Sequence, residues 1–240
     1  MAGSQGGQAI PTQLGLAQFE QFVLPHRSVG SRGPAPKLSL FKIFNYILRH
    51  LYMGCQWKEL PIERDGDGTM TAAKKGGDNI GFSGHKKVKG DKVVAFCDRW
   101  CKLIAPFVSA PGNHNESPLL REALPEVMRI ARTAGIDLQD SVVSLDGVYD
   151  CRSNRKAIFN RGMVPNINPN PRGRKGAKRG RKPLFEPAIF DERFHTIERV
   201  FAWEDKFRLL LLRLDRLSRL HYAFKTLAYT MINLRHYCRA

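Results

Sequence analysis

Acidic residues are scarce in this chain of 240 residues: 22 Asp and Glu stand against 39 Lys and Arg, a formal net charge of +17. An imbalance of that size points to a polyanionic partner, nucleic acid first and an anionic membrane surface second. Cysteine is sparse as well. The five residues Cys55, Cys97, Cys101, Cys151 and Cys238 are odd in number and scattered. That excludes a fully paired disulfide framework and fits a reducing, intracellular setting. Cys97 and Cys101 have no second Cys or His pair at ligand spacing nearby, which argues against zinc. Long apolar runs are missing too. The longest, Leu220 to Leu234, is short for a bilayer and carries His221, Lys225 and Asn233; a buried helix is expected there and a membrane span is not. Met1 to Gly7 hold no basic leader, no apolar leader core follows, and no internal repeat is visible.

What is present suffices for a core. Hydrophobic residues make up 42% and aromatics 10%, so wholesale disorder is excluded. The length fits one large domain or two modest ones. Residues 1–38 are rich in Gly, Gln, Ser and Pro and read as a flexible N-terminal arm. Ser39 is placed to cap a helix through Leu40, Ile43, Phe44, Ile47, Leu48 and Leu51, making 39–64 a helical N-terminal segment. The span Asp65 to Gly84 reads as loop. Lys92–Cys97 and Leu103–Ser109 form an expected antiparallel hairpin. A helix is expected over 117–134 and stops at Gly135. Strands are expected at 141–145 and 164–167, with a helix over 152–160 between them. Phe190 to Cys238 reads as two long helices. The order of elements predicts an α/β or α+β fold with a small helical piece in front.

Three acids stand out by context: Asp67 in a Gly-rich turn, Asp146 at the end of a strand, and Glu198 in the C-terminal helical region. Taken singly, each is an ordinary capping or surface acid. Together, amid so many cations, they are suited to hold divalent metal against phosphate, and carboxylates suit Mg²⁺ or Mn²⁺. Between Arg172 and Lys182, seven of eleven residues are Lys or Arg and none is acidic. Lys74, Lys75, Lys86, Lys87, Lys89 and Lys92 form a second cationic cluster. Either could contact phosphate without reading bases. Glu116 is a candidate supporting acid near the site. Trp57, Trp100 and Trp203 read as core aromatics, and His85 and His114 as loop residues.

In combination, three blocks resemble the DDE transposases. They are Asp67-Gly-Thr-Met-Thr-Ala-Ala-Lys-Lys75-Gly-Gly-Asp-Asn79, Ser144-Leu-Asp146-Gly-Val-Tyr149-Asp150 and Thr196-Ile-Glu198-Arg199-Val-Phe201. The similarity is to the insertion-sequence four/five-like branch of bacterial transposable elements and runs over residues 66–238. Phe41 to Pro61 also resembles that branch's helical N-terminal segment. The resemblance implies an RNase H-like mixed sheet flanked by helices over 65–240. In it Asp67, Asp146 and Glu198 would be catalytic and ligate two Mg²⁺ ions, with Mn²⁺ as a substitute. The implied reaction is DNA strand cleavage and transfer without a covalent protein intermediate. Lys74, Lys75, Arg172, Arg174, Lys175, Lys178, Arg179, Arg181 and Lys182 would contact double-stranded DNA of element ends and target. The protein would act as a homodimer in a DNA complex, in a bacterial cytoplasm and at its nucleoid, with no membrane partner.

The chain departs from that pattern twice. Leu60-Pro-Ile-Glu-Arg-Asp-Gly66 runs directly into Asp67, with no apolar strand before it, whereas a strand buried on both faces is near-continuously apolar. This reads as an internal deletion that leaves the first strand stunted. The spacing Phe190, Arg193, Glu198, Lys206 also exceeds the family's signature by one residue on each side of the Glu, so no role passes to Arg193 or Lys206. Two functions follow as expectations: an Mg²⁺-dependent transposase, or a catalytically inactive DNA-binding remnant that inhibits the intact enzyme. A generic RNA-binding protein is a weaker third, because no exposed stacking motif is present.

Overall fold

The computed structural model describes residues 10–26, 39–54, 71–73, 76–84, 87–104, 108–170, 183–235 and 237. The first helices arise from plain amphipathic patterning. Helix α1 (Leu16–Phe22) buries Phe19, and α2 (Leu40–Met53) buries Leu48 and Leu51. The Ser39 hydroxyl caps α2 by accepting the Lys42 N–H at 3.4 Å. Gly54 ends it at φ 64°, where a Cβ would also meet Arg208 Cβ at 2.8 Å. Glycine therefore answers both the left-handed turn and the close approach of a later helix. Residues 10–26 belong to the stretch expected to be a flexible arm, yet they pack. Asn45 donates to the Leu14 carbonyl at 3.0 Å and accepts the Leu14 N–H at 2.8 Å, and Phe19 lies against the rings of Phe41 and Phe44.

The larger sheet contains β1 (Thr71–Ala73), β2 (Gly81–Ser83), β3 (Val88–Val94), β4 (Val108–Pro111) and β7 (Leu212–Arg213). Strand β3 is its spine. Gly90 pairs with both Gly81 and Ala72, and Asp91 with both Thr71 and Pro111. Strands β2 and β4 therefore follow one another along one edge of β3, antiparallel to it, while β1 takes the other edge. On its far side β1 pairs in parallel with β7. The expected hairpin is present as β3–β4, extended by the bridge Cys97↔Leu103.

A second sheet of two parallel strands, β5 (Val142–Leu145) and β6 (Val164–Ile167), is joined by α4 (Arg152–Phe159). Helix α3 (Glu116–Thr133) packs across it, and Leu120, Leu124, Ile158, Met163 and Ile167 form one core. The C-terminal region holds α5 (Pro187–Asp191), α6 (Ile197–Glu204), α7 (Arg208–Leu211) and α8 (Ser218–Leu234). Val200, Phe207, Leu210, Ala228, Tyr229, Met231 and Ile232 join Phe19, Leu48 and Leu51 in a second core. The fold is thus mixed α/β, as expected, with its strands divided between two sheets among the described residues. Where two long helices were expected from Phe190 onward, the described residues hold α6, α7 and α8, because the chain turns extended at Phe207 and Leu212 to lay β7 beside β1. No helix of the described residues is long and apolar enough to cross a membrane.

Candidate functional site

Strand β5 delivers Asp146 to the carboxyl end of a parallel pair, the place where α/β folds position reactive groups. Asp146 caps the 3₁₀ turn Gly147–Tyr149, accepting the Gly147 N–H at 2.6 Å, and is exposed. The rest of the turn is tied to the fold. Asn170 donates to the Gly147 carbonyl at 3.1 Å, and Asn154 donates to that of Tyr149 at 3.0 Å. The Asp150 carboxylate accepts from the Arg155 guanidinium at 3.0 and 3.1 Å and from the Asn170 N–H at 3.0 Å. With its side chain only 8% exposed, Asp150 is an anchor. The Tyr149 hydroxyl donates to Glu116 at 3.5 Å, and Glu116 pairs with Lys92 at 3.1 Å. Glu116 therefore supports the Asp146 turn at one remove, through Tyr149.

Glu198 sits exposed in the first turn of α6, on the helical core rather than on the β5–β6 unit. Asp67, Lys74, Lys75 and the whole run Arg172, Arg174, Lys175, Lys178, Arg179, Arg181 and Lys182 lie outside the described residues. Of the three expected metal ligands, two are placed, and both are exposed residues carrying carboxylates, the donor type Mg²⁺ and Mn²⁺ prefer. Among the described residues no three His, Cys, Asp or Glu side chains group as metal ligands. No family model, curated protein or solved structure matches this chain.

Two expectations change. Lys92 belonged to the cationic cluster read as phosphate-binding, but its ammonium is held by Glu116 and its side chain is 20% exposed. Trp100 is 55% exposed rather than core. Trp203 does pack on the helical core, with the Arg235 guanidinium 3.9 Å above its ring. Burial pushes the Cys97 thiol up to about 12, with the neighbouring Cys101 adding to it. Cys151 titrates low. Burial raises it, but hydrogen bonds from Ser153, the Asn154 N–H and Ser117 prevail.

The structure also assembles a buried polar cluster that sequence reasoning missed. Asp91 in β3, Arg213 in β7 and His221 in α8 are each at most 3% exposed. Asp91 lies 4.0 Å from the Arg213 Nη1 and 3.8 Å from the His221 Nε2. Arg213 also donates to the Asp78 carbonyl at 2.8 Å, and the Asp78 carboxylate accepts the Ser218 N–H at 2.6 Å. Asp78 thereby caps α8 from a distant loop, and these bonds, with Ser218 Oγ first, hold its carboxyl below the usual range. Burial, then Lys225 and Arg213, lower His221 to about 3, so its imidazole is neutral at pH 7. Burial raises Asp91 against the pull of Tyr222, Lys225 and Arg213. One further pair completes the interior: Lys225 donates to Glu204, which also accepts from the Tyr229 hydroxyl at 2.5 Å. The available signal was the polar spacing His221, Lys225 within an apolar helix. Both side chains lie one turn apart on the same face.

Proposed function

We propose that this chain is a DNA-binding protein of DDE transposase descent, with an RNase H-like catalytic unit that cleaves and joins DNA strands in the presence of Mg²⁺. The observation supporting the reading is the Asp146 turn. An exposed carboxylate stands at the end of a parallel strand, while Gly147, Tyr149 and Asp150 around it are pinned by Asn154, Arg155 and Asn170. A carboxylate so placed can serve a metal with little reorganisation. Asp146 and Glu198 would be ligands, with Asp67 as the third; bound Mg²⁺ would activate the attacking hydroxyl and stabilise the leaving oxygen. The charge of +17 fits a partner made of phosphates.

Anisotropy titration of a labelled duplex, taken from the DNA flanking the chain's own reading frame, tests the binding half of this reading. Six or more neutralised phosphates predict that affinity falls by about 10³-fold between 50 and 200 mM salt. Absent binding, or binding indifferent to salt, contradicts it.

A second reading, the inactive remnant, draws on one observation. Among the described residues β5 pairs with β6 alone, in a sheet separate from the one that holds β1. On that reading the protein occupies DNA ends, keeps the salt-dependent binding, and cuts nothing.

A further inference from the structure

Helix α4 buries Asn154 and Ile158 and turns another face outward. Arg152, Lys156, Phe159 and Asn160 are all exposed on that face, at the i, i+4, i+7, i+8 spacing that aligns side chains along a helix. Phe159 is 71% exposed, among the most exposed large apolar side chains described. A single exposed apolar residue is ordinary; its setting here is not. The other two cations of the helix are committed to the protein: Arg155 to Asp150 and the Ile167 carbonyl, and Arg161, just past its end, to the Ala157 carbonyl. The side chains of Arg152 and Lys156 are exposed and form no hydrogen bond or ion pair among the described residues. No Asp or Glu occurs between Asp150 and Glu186, a stretch with eleven Lys and Arg. Within the described residues 151–170 every charged side chain is therefore cationic, and Phe159 falls between Lys156 and Arg161 in the chain.

The helix is also tied to the candidate site. Arg155 grips Asp150, and Asn154 grips the Tyr149 carbonyl, so the first turn of α4 moves with the Asp146 turn. Phe159 stands seven residues further on, about 10 Å along the axis. Arg152 and Lys156 are about 6 Å apart along the same axis.

From this arrangement we infer that the outer face of α4 holds a single strand of DNA, with Phe159 stacked on an unpaired base and Arg152 and Lys156 on the phosphates beside it. The inference rests on the DNA reading and deepens it by assigning a strand-separated segment to a particular helix face. An aromatic ring between cations is how proteins bind unpaired nucleic acid without reading its sequence. A duplex hides the faces of its bases and gives such a ring nothing to stack on.

The test uses the full chain and two labelled probes, a 20-nucleotide oligothymidylate and a duplex of equal length, at fixed salt. Phe159→Ala is expected to weaken binding of the single strand by about 5- to 150-fold. It should leave duplex affinity within about twofold. Phe159→Trp restores the single-strand affinity. The double variant Arg152→Gln, Lys156→Gln lowers the single-strand salt slope by about 0.7 for each phosphate no longer neutralised. Because Phe159 is exposed, an unchanged melting temperature confirms that the variants are folded. Single-strand binding that is unaffected by Phe159→Ala, or single-strand and duplex binding that fall together, overturns the assignment to α4 while the DNA reading stands. Failure of the unaltered protein to bind either probe overturns both.

Discussion

Asp91, Arg213 and His221 bring three ionisable side chains into the interior where the larger sheet meets α8. Arg213 and His221 stand 4.0 and 3.8 Å from Asp91, beyond direct hydrogen bonding, and burial dominates the titration of both Asp91 and His221. The consequence for stability has a definite sign. His221 has a folded pKa of about 3 against 6.5 for the free side chain. Below pH 6.5 the unfolded chain takes up a proton that the folded chain refuses. Its contribution to stability is therefore intact above about 6.5, falls as pH drops, and levels near 3. Asp91 acts in the opposite sense, since its raised pKa makes the folded state less favourable as pH rises above 3.8. Comparing urea midpoints of the wild type and His221→Gln between pH 7 and pH 4.5 isolates the histidine. The wild type should lose up to about 1.4 kcal/mol more per pH unit than the variant. Identical pH profiles would show that the imidazole is not held neutral by burial.

Helices α6 and α8 meet over Glu204, Lys225 and Tyr229. Both charged partners are almost fully buried, at 7% and 5% exposure, so neither can be rescued by water when the other is lost. Glu204→Ala should destabilise the protein by about 3–5 kcal/mol, whereas Glu204→Leu with Lys225→Met should be near neutral or stabilising. Thermal or urea unfolding of the single and double variants measures this, and additive losses would contradict it. The same region shows where elements were and were not legible. The apolar period of α3 and the β-branched runs of β5 and β6 gave those elements to within a residue or two, because their patterns are local. Strands β1 and β2 sit in Gly- and Lys-rich sequence with no pattern of their own. Pairing with β3 creates them. Strand β7 begins at the last residue of the run Leu209–Leu212, where short apolar sequence does not distinguish helix from strand. Of the candidate site, Asp146 was legible as an acid after a strand. Asp91, flanked by Gly90 and Lys92, carries no local pattern that marks it as buried; its burial follows from its place in β3 opposite Thr71 and Pro111.

Across the whole molecule, charge and architecture divide the work. Among the described residues three cores support the chain: one joins the N-terminal helices to the C-terminal ones, one carries the β5–β6 pair with Asp146, and Val94, Ala110, Leu119 and Ala123 pack α3 on the larger sheet. Cations with carboxylate partners, such as Lys92 and Arg155, brace the interior around that turn. The excess of positive charge left over is what a phosphate-handling protein requires. On the proposed account, Asp146 and Glu198 stand on different elements and serve one reaction. The direct measurement is nicking of a labelled duplex from the flanking DNA, with Mg²⁺ present, by the wild type, Asp146→Asn and Glu198→Gln. Even the outer partners of a metal site often contribute 10- to 100-fold, so loss of either carboxylate should lower the rate by at least about 100-fold while duplex binding persists. A wild type that binds the duplex but never nicks it, or nicking that continues unchanged in Asp146→Asn, would contradict the catalytic claim.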